Sequence, residues 1–228
     1  VSSYQLFCRG ESGNAYKVAL MLNLLGVRWE PRFVDFFDAT SKATFQKNLN
    51  EMGELPVLQL EDGRTLSQSG AILQYLARTH GRFLPVEEGQ ADEVLRWLLF
   101  DNHRFTASFA TLRYLVGLRG GQESQLTTHL RALADTAYRV VDAHLASRNF
   151  MVGSAPTIAD ISMVGYLYYD EETHFDRTRF TNIQSWAARI AELPGWAHPY
   201  DLMPRAVATD SPALTVNNVL DKPYQAGR

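Results

Sequence analysis

GELPVLQLEDGRTLSQSGAI, residues 53–72, is the stretch on which the fold turns. Leu55 to Leu60 is a short apolar run, and a proline at its entry, Pro56, is tolerated in a strand because no ladder donor is lost there. Glu61-Asp62-Gly63-Arg64 follows as a tight turn whose Asp-Gly pair favours a hairpin, and Thr65-Leu66 reads as the returning strand. Ser69 then stands where its hydroxyl can cap a helix that carries Ile72, Leu73 and Leu76 on one side.

Upstream, Tyr4 to Cys8 is a short apolar strand ended by turn residues. Val18, Met21, Leu22 and Leu25 recur at helical spacing up to Gly26, a C-terminal stop. Trp29 to Phe33 reads as a second strand and Ser41 to Leu49 as a short helix. The first 80 residues therefore run strand, helix, strand, helix, hairpin, helix.

Beyond His80 the pattern changes. Gly81, Pro85 and Gly89 break the periodicity, and a linker over residues 81–90 is the natural boundary. Leu95, Leu98, Leu99, Asn102, Phe105, Phe109 and Leu112 mark one long helix, and Leu126 to Val141 mark another, each with a continuous apolar stripe. Ile158 to Tyr169 is apolar nearly all round, as a helix at the centre of a bundle would be. Ile183 to Leu193 gives a further helix, and the Pro-containing tail beyond Trp196 reads as extended or loosely packed.

The chain has 228 residues, 46% of them hydrophobic, and 22 Lys plus Arg against 25 Asp plus Glu give a formal charge of -3. No basic block is available to neutralise a run of phosphates, so nucleic acid is not an expected partner. No stretch approaches the roughly 20 apolar residues of a membrane span, and VSSYQLF lacks the regions of a signal peptide. A single cysteine excludes an internal disulfide framework. The six histidines show neither helical pairing nor the clustered Cys of a zinc site. The expectation is a reducing-compartment protein without a metal.

Three local signatures, Gly53-Glu54-Leu55-Pro56-Val57-Leu58, Gln68-Ser69 and Thr157-Ile158-Ala159-Asp160 after Gly153, taken with this order of elements, resemble the cytosolic glutathione transferases. The Ser12-Gly13-Asn14-Ala15-Tyr16-Lys17-Val18 start resembles bacterial members that use a hydroxyl or amide rather than a cysteine. The resemblance covers nearly the whole chain. It implies an α/β thioredoxin-like domain over residues 1–80 and an all-α bundle over residues 91–228 that forms the electrophile site. It also implies glutathione as co-substrate, a homodimer and a cytoplasmic location.

The resemblance assigns residues as well. The Leu55-Pro56 bond should be cis, turning the Leu55 backbone toward the cysteinyl part of glutathione. Ser69 should take the γ-glutamyl carboxylate and Gln68 the α-amino region. Relatives often carry Glu where Gln68 stands, so an acid from elsewhere is wanted, and Asp101 across a dimer interface is a candidate. Many relatives also have Asn-Pro where this chain has Asn50-Glu51. Lys42 and the neighbourhood of Asn50 lie where the glycyl carboxylate is often held. Phe105, Phe109, Arg113 and Tyr114 are candidates to roof a pocket for a small hydrophobic electrophile. The Thr157 and Asp160 cap serves folding.

The family's chemical task is to ionise a thiol whose free pKa is about 8.5. A helix N-terminus and a hydrogen-bond donor both favour the thiolate. Ser12 is the expected donor, with Asn14 assisting or replacing it, although either also suits a helix cap. Cys8 reads as a small buried hydrophobe or, if exposed, as the thiol of a disulfide reductase. Conjugation, glutathione-dependent reduction of peroxides or disulfides, and a non-catalytic binding role all remain open at this level.

Overall fold

The computed structural model describes residues 4–36, 38–85, 87 and 89–205. Strand β1 (Tyr4–Cys8), helix α1 (Gly13–Leu25), strand β2 (Trp29–Phe33), helix α2 (Ala39–Asn48), strands β3 (Val57–Gln59) and β4 (Thr65–Ser67) and helix α3 (Ser69–His80) make the first half. The second half is helical throughout: α4 (Gln90–Phe100), α5 (Thr106–Leu112), α6 (Gln125–Leu145), α7 (Ile158–Met163), α8 (Thr181–Ala191) and α9 (Pro199–Leu202). A thioredoxin-like α/β layer is thus followed by a helical bundle.

The sheet runs β2-β1-β3-β4, with β1 parallel to β2 and antiparallel to β3. Alternation along β1 turns Tyr4, Leu6 and Cys8 inward. Pro31 is accommodated because β2 is an edge strand, where a missing N–H breaks no second ladder. Gly26 closes α1 with φ 68°, a left-handed conformation natural to glycine. One continuous hydrophobic core joins both halves, from Leu6 and Leu20 through Trp97 and Tyr138 to Trp186.

Three differences from the sequence reading have local causes. The long helix after the linker is interrupted by π turns over Asp101–Phe105 and Arg113–Leu118. Each inserts a residue into the helical period, a feature common at functional sites. The apolar run after Ile158 leaves the α-helix at Met163 and tightens into a 3-10 turn, Val164–Tyr166. There α1 packs so closely that a Cβ on Gly165 would fall 2.5 Å from Lys17 Cγ. The segment after Trp196 is not loose: α9 follows His198, Met203 is buried, and Pro204 C=O accepts from Gly10 N–H at 2.7 Å. Residues 206–228 of that tail lie outside the described residues.

The Thr157 capping box forms as its sequence suggests, with Asp160 accepting from Thr157 N–H. Asp160 does more, because Met151 N–H and Trp186 Nε1–H also donate to it at 2.8 and 2.9 Å. One carboxylate thereby ties α7 to α8.

Candidate functional site

Ser12 is the N-cap of α1, extended at φ -90° and ψ 106°, and its Oγ accepts from Ala15 N–H at 3.2 Å. Accepting that bond leaves the hydroxyl hydrogen available to be donated outward, and uncapped amides make this end of the helix attractive to negative charge. Two residues on, Asn14 Oδ1 is buried and has no hydrogen-bond partner among the described residues. A half-turn of its carboxamide would present Nδ2 instead.

The loop before this cap is held by the helical half. Tyr169 Oη–H donates to Gly10 C=O and Arg113 Nη1–H to Glu11 C=O, both at 2.7 Å. Arg113 is buried, forks onto Glu171 at 2.8 Å through Nε and Nη2, and stacks on Tyr169 at 3.8 Å. Tyr200 joins this network by donating to Glu171. Burial pushes the Glu171 carboxyl up, but the bonds from Arg113 and Tyr200 prevail and hold it down to about 2. At Gly13 a Cβ would lie 2.5 Å from the Tyr166 ring, so only glycine permits this closeness.

The Leu55-Pro56 bond is cis. Leu55 lies beyond the last β3–β4 pair, Val57 with Ser67, where its backbone projects past the ladder. Asn50 shapes the approach, donating to Glu54 C=O at 2.9 Å and accepting from Met52 N–H at 3.2 Å. Gln68, not Ser69, is the N-cap of α3, and it makes no side-chain cap bond. Its φ of 67° is unusual for a non-glycine residue, a conformation that costs roughly 1–3 kcal/mol and clusters at ligand sites. Its Nε2–H donates to Glu54 Oε2 at 2.8 Å.

These pieces share one cleft of about 520 Å³. Ser12, Asn14, Leu55, Gln68 and Ser69 line one side, while Asn102, Thr106, Arg113, Tyr114 and Tyr166 line the other. Pro56 is buried and does not line the wall. Lys42 stands off the wall on the exposed face of α2, with Nζ 5.1 Å over the ring of Phe36, which does line the cleft.

Phe105 and Phe109 face away from the cleft. Both are buried against Tyr138, at 4.6 and 6.0 Å between ring centroids, because their side of the helix meets α6. Asp101 is corrected as well. It is fully buried, bound to Lys17 Nζ at 2.7 Å and to the hydroxyls of Thr106 and Ser162, so it is committed within its own chain. The acid beside Gln68 is Glu54. Cys8 is fully buried, and desolvation pushes its thiol up to about 12, which leaves it inert at neutral pH. Glu54, Phe36 and Tyr166 went unrecognised in the sequence, where a lone acid and two aromatics carry no spacing signal. Among the described residues, no group of His, Cys, Asp and Glu could hold a metal ion and no helix is long and apolar enough to cross a membrane.

Family models for the N-terminal and C-terminal domains of glutathione S-transferase match residues 11–79 and 102–194. The crystal structure of a glutathione S-transferase from Pseudomonas fluorescens Pf-5 superposes with a TM-score of 0.77 at 33% identity, covering 87% of this chain and 99% of that one. The chain belongs to the glutathione S-transferase family. A glutathione transferase from Pseudomonas putida, solved with glutathione disulfide bound, superposes on this family member with a TM-score of 0.73 at 25% identity, covering 85% and 88% of the two chains. A probable maleylacetoacetate isomerase from Vibrio cholerae serotype O1 is 26% identical over 82% of this chain and 90% of its own length. The family is therefore shared with proteins of more than one described activity.

Proposed function

We propose that this protein binds glutathione in the cleft at the start of α1, holds its thiol ionised, and delivers it to a small electrophile. The observation that carries the reading is the convergence of three features on one cleft: the Ser12 cap, the Leu55 backbone after its cis proline, and the strained Gln68 at the head of α3. The unpartnered Asn14 oxygen supports a ligand there, because a buried polar atom normally finds a partner. The glutathione disulfide of the Pseudomonas putida relative supports the same ligand class.

Glutathione, when bound, supplies the nucleophilic thiol. The chain's own residues bind and orient it. Leu55 offers backbone N–H and C=O to the cysteinyl unit, and Ser69 with the uncapped α3 amides receives the γ-glutamyl carboxylate. Glu54, already bridged to Gln68, supplies the acid for the α-ammonium. Lys42 draws the glycyl carboxylate toward the rim. Ser12 donates its hydroxyl hydrogen to the sulfur, with Asn14 beside it, and the α1 terminus stabilises the charge. One charge-assisted hydrogen bond is worth about 1.5–3 kcal/mol, and a pKa unit is about 1.4 kcal/mol, so a shift of one to two units is within reach.

The second substrate meets a mixed wall, with Arg113, Tyr114, Asn102 and Thr111 among apolar Ala107, Ala110 and Leu118. Arg113 belongs to that wall but is bound to Glu171, so it offers a fixed rather than a mobile cation. Calorimetry with glutathione tests the binding, and turnover of a chlorinated aromatic against hydroperoxides and mixed disulfides tests the reaction class. Absence of binding at millimolar glutathione removes the reading. Binding without turnover across that panel leaves a glutathione-binding protein without catalysis.

The homodimer is part of the same proposal. Leu95 and Leu99 are exposed on α4, and Met52 is exposed beside Gln68. An apolar cavity of about 310 Å³ lined by Phe100, Leu133, Ala137 and Val140 opens between α4 and α6. A second copy covering these surfaces accounts for their exposure. Leu99→Glu should yield monomers in sedimentation equilibrium; a wild-type monomer at micromolar concentration removes the dimer.

A further inference from the structure

We propose that Tyr166 is a catalytic residue of this site, its phenol donating from the helical half to the same sulfur that Ser12 faces. The inference deepens the glutathione reading and rests on it.

Tyr166 ends the 3-10 turn after α7 and lines the cleft together with Ser12 and Asn14. Its ring is pressed on the backbone of the α1 terminus. A Cβ built on Gly13 would fall 2.5 Å from both Cδ2 and Cε2, so Gly13 is the surface on which the ring rests. Gly165, the residue before it, lies equally close, with its hypothetical Cβ 3.1 Å from Gly13 C=O. Two glycines, one on each side, thus bring a phenol to within one residue of the Ser12 cap.

The neighbouring tyrosines use their hydroxyls structurally. Tyr16 donates to Ala197 C=O, Tyr168 to Ala187 C=O and Tyr169 to Gly10 C=O, at 2.9, 2.8 and 2.7 Å. The Tyr166 hydroxyl donates to no backbone carbonyl in this way; its oxygen instead faces the backbone amides of Asn14 and Gly13, and the residue belongs to the cleft wall. A phenol held in place by its ring, its oxygen turned to the amides of the α1 terminus and its hydrogen left to give, is arranged to donate to an anion there.

The groups around it keep it a donor. Burial raises its pKa, Arg113 and the amides of Asn14 and Gly13 work against that, and Asp101 adds to it, leaving the phenol protonated at neutral pH. Tyr169, at 6.0 Å between ring centroids, packs on its other side. No covalent bond to Tyr166 forms or breaks. Its proton stays on the phenol oxygen, the contact strengthening as the sulfur gains charge and relaxing as the sulfur bonds to the electrophile.

Tyr166→Phe keeps the ring on Gly13 and removes only the hydroxyl. Two measurements on the full chain test the role: ultraviolet titration of the bound glutathione thiolate, and affinity for S-methylglutathione, which has no thiol to ionise. The expected result is a titration midpoint raised by about one unit, a tenfold fall in thiolate below the midpoint, with S-methylglutathione affinity unchanged. An unchanged midpoint overturns the proposal, as does a loss of S-methylglutathione affinity without a midpoint shift, which would mark Tyr166 as a binding wall alone. If the Phe variant does not fold, 3-fluorotyrosine at position 166 replaces it; its more acidic phenol should lower the midpoint, and no change overturns the role. Wild-type protein that fails to bind S-methylglutathione removes the glutathione reading itself, whereas wild-type binding with an indifferent Tyr166→Phe removes only this residue.

Discussion

Arg113 donates from the helical half to the carbonyl oxygen of Glu11 at 2.7 Å, one residue before the Ser12 cap. The same guanidinium is forked onto Glu171, so the loop that starts α1 is positioned by a buried ion pair of the other half. Breaking a buried pair by removing one partner costs about 3–5 kcal/mol because the remaining charge is stranded. Arg113→Gln is expected to lower stability at or below the bottom of that range, since Glu171 keeps 19% of its side chain exposed. Urea unfolding of wild type and variant checks it, and a loss under 1 kcal/mol contradicts the clamp.

Ser12→Ala removes both a cap and the expected thiol donor. Cap loss costs about 0.5–2 kcal/mol, visible in the melting temperature without ligand. The bound glutathione thiol should titrate higher in this variant than in Asn14→Ala. The opposite order would transfer the donor role to the carboxamide.

Gly13→Ala is expected to be damaging although alanine favours helices, because the new methyl would overlap the Tyr166 ring. Overpacking costs about 1–3 kcal/mol. Thermal unfolding and glutathione titration should both worsen, and a neutral Gly13→Ala would mean the ring moves aside freely.

Two carboxylates of the bundle, Glu171 and Asp160, give opposite pH slopes. Glu171 is depressed to about 2 from a usual 4.5, so its contribution to stability is present above pH 4.5 and lost as the pH falls toward 2. Asp160 is raised by burial to about 6 from 3.8 despite four donors, so its contribution is full below pH 3.8 and declines as the pH rises through 6. Glu171→Gln should flatten the acid limb of the stability profile between pH 4.5 and 2, and Asp160→Asn should remove the decline between pH 4 and 6. Denaturant midpoints measured across that range test both signs.

Cys8→Ser is expected to retain turnover, and native protein should resist thiol reagents until unfolded, because Cys8 is fully buried with its thiol near 12. Rapid labelling of the native protein would reopen a role for this cysteine.

Much of the architecture was legible in the chain because its signals are local. The short apolar run Tyr4–Cys8, the Asp62-Gly63 turn, the stop at Gly26 and the Thr157 box each act within a few residues, and each appears where the sequence places it. The interrupted helix after Gln90 was not legible, since a π turn adds one residue without altering composition. Phe105 and Asn102 illustrate the same limit: both belong to one helical run, yet one enters the core and the other the cleft.

By itself the sequence determined the two-part order of elements, the caps of α1 and α7, and a glycine at position 13 beside the opening hydroxyl. Only the tertiary structure decided that Lys17 neutralises Asp101, that Glu54 rather than Asp101 accompanies Gln68, and that Tyr166 and Arg113 arrive at the Ser12 loop from more than a hundred residues away. The reason is physical. Capping and turn preferences depend on neighbouring backbone, whereas which charge meets which, and which ring meets the cleft, depends on how two separately patterned surfaces close on one core.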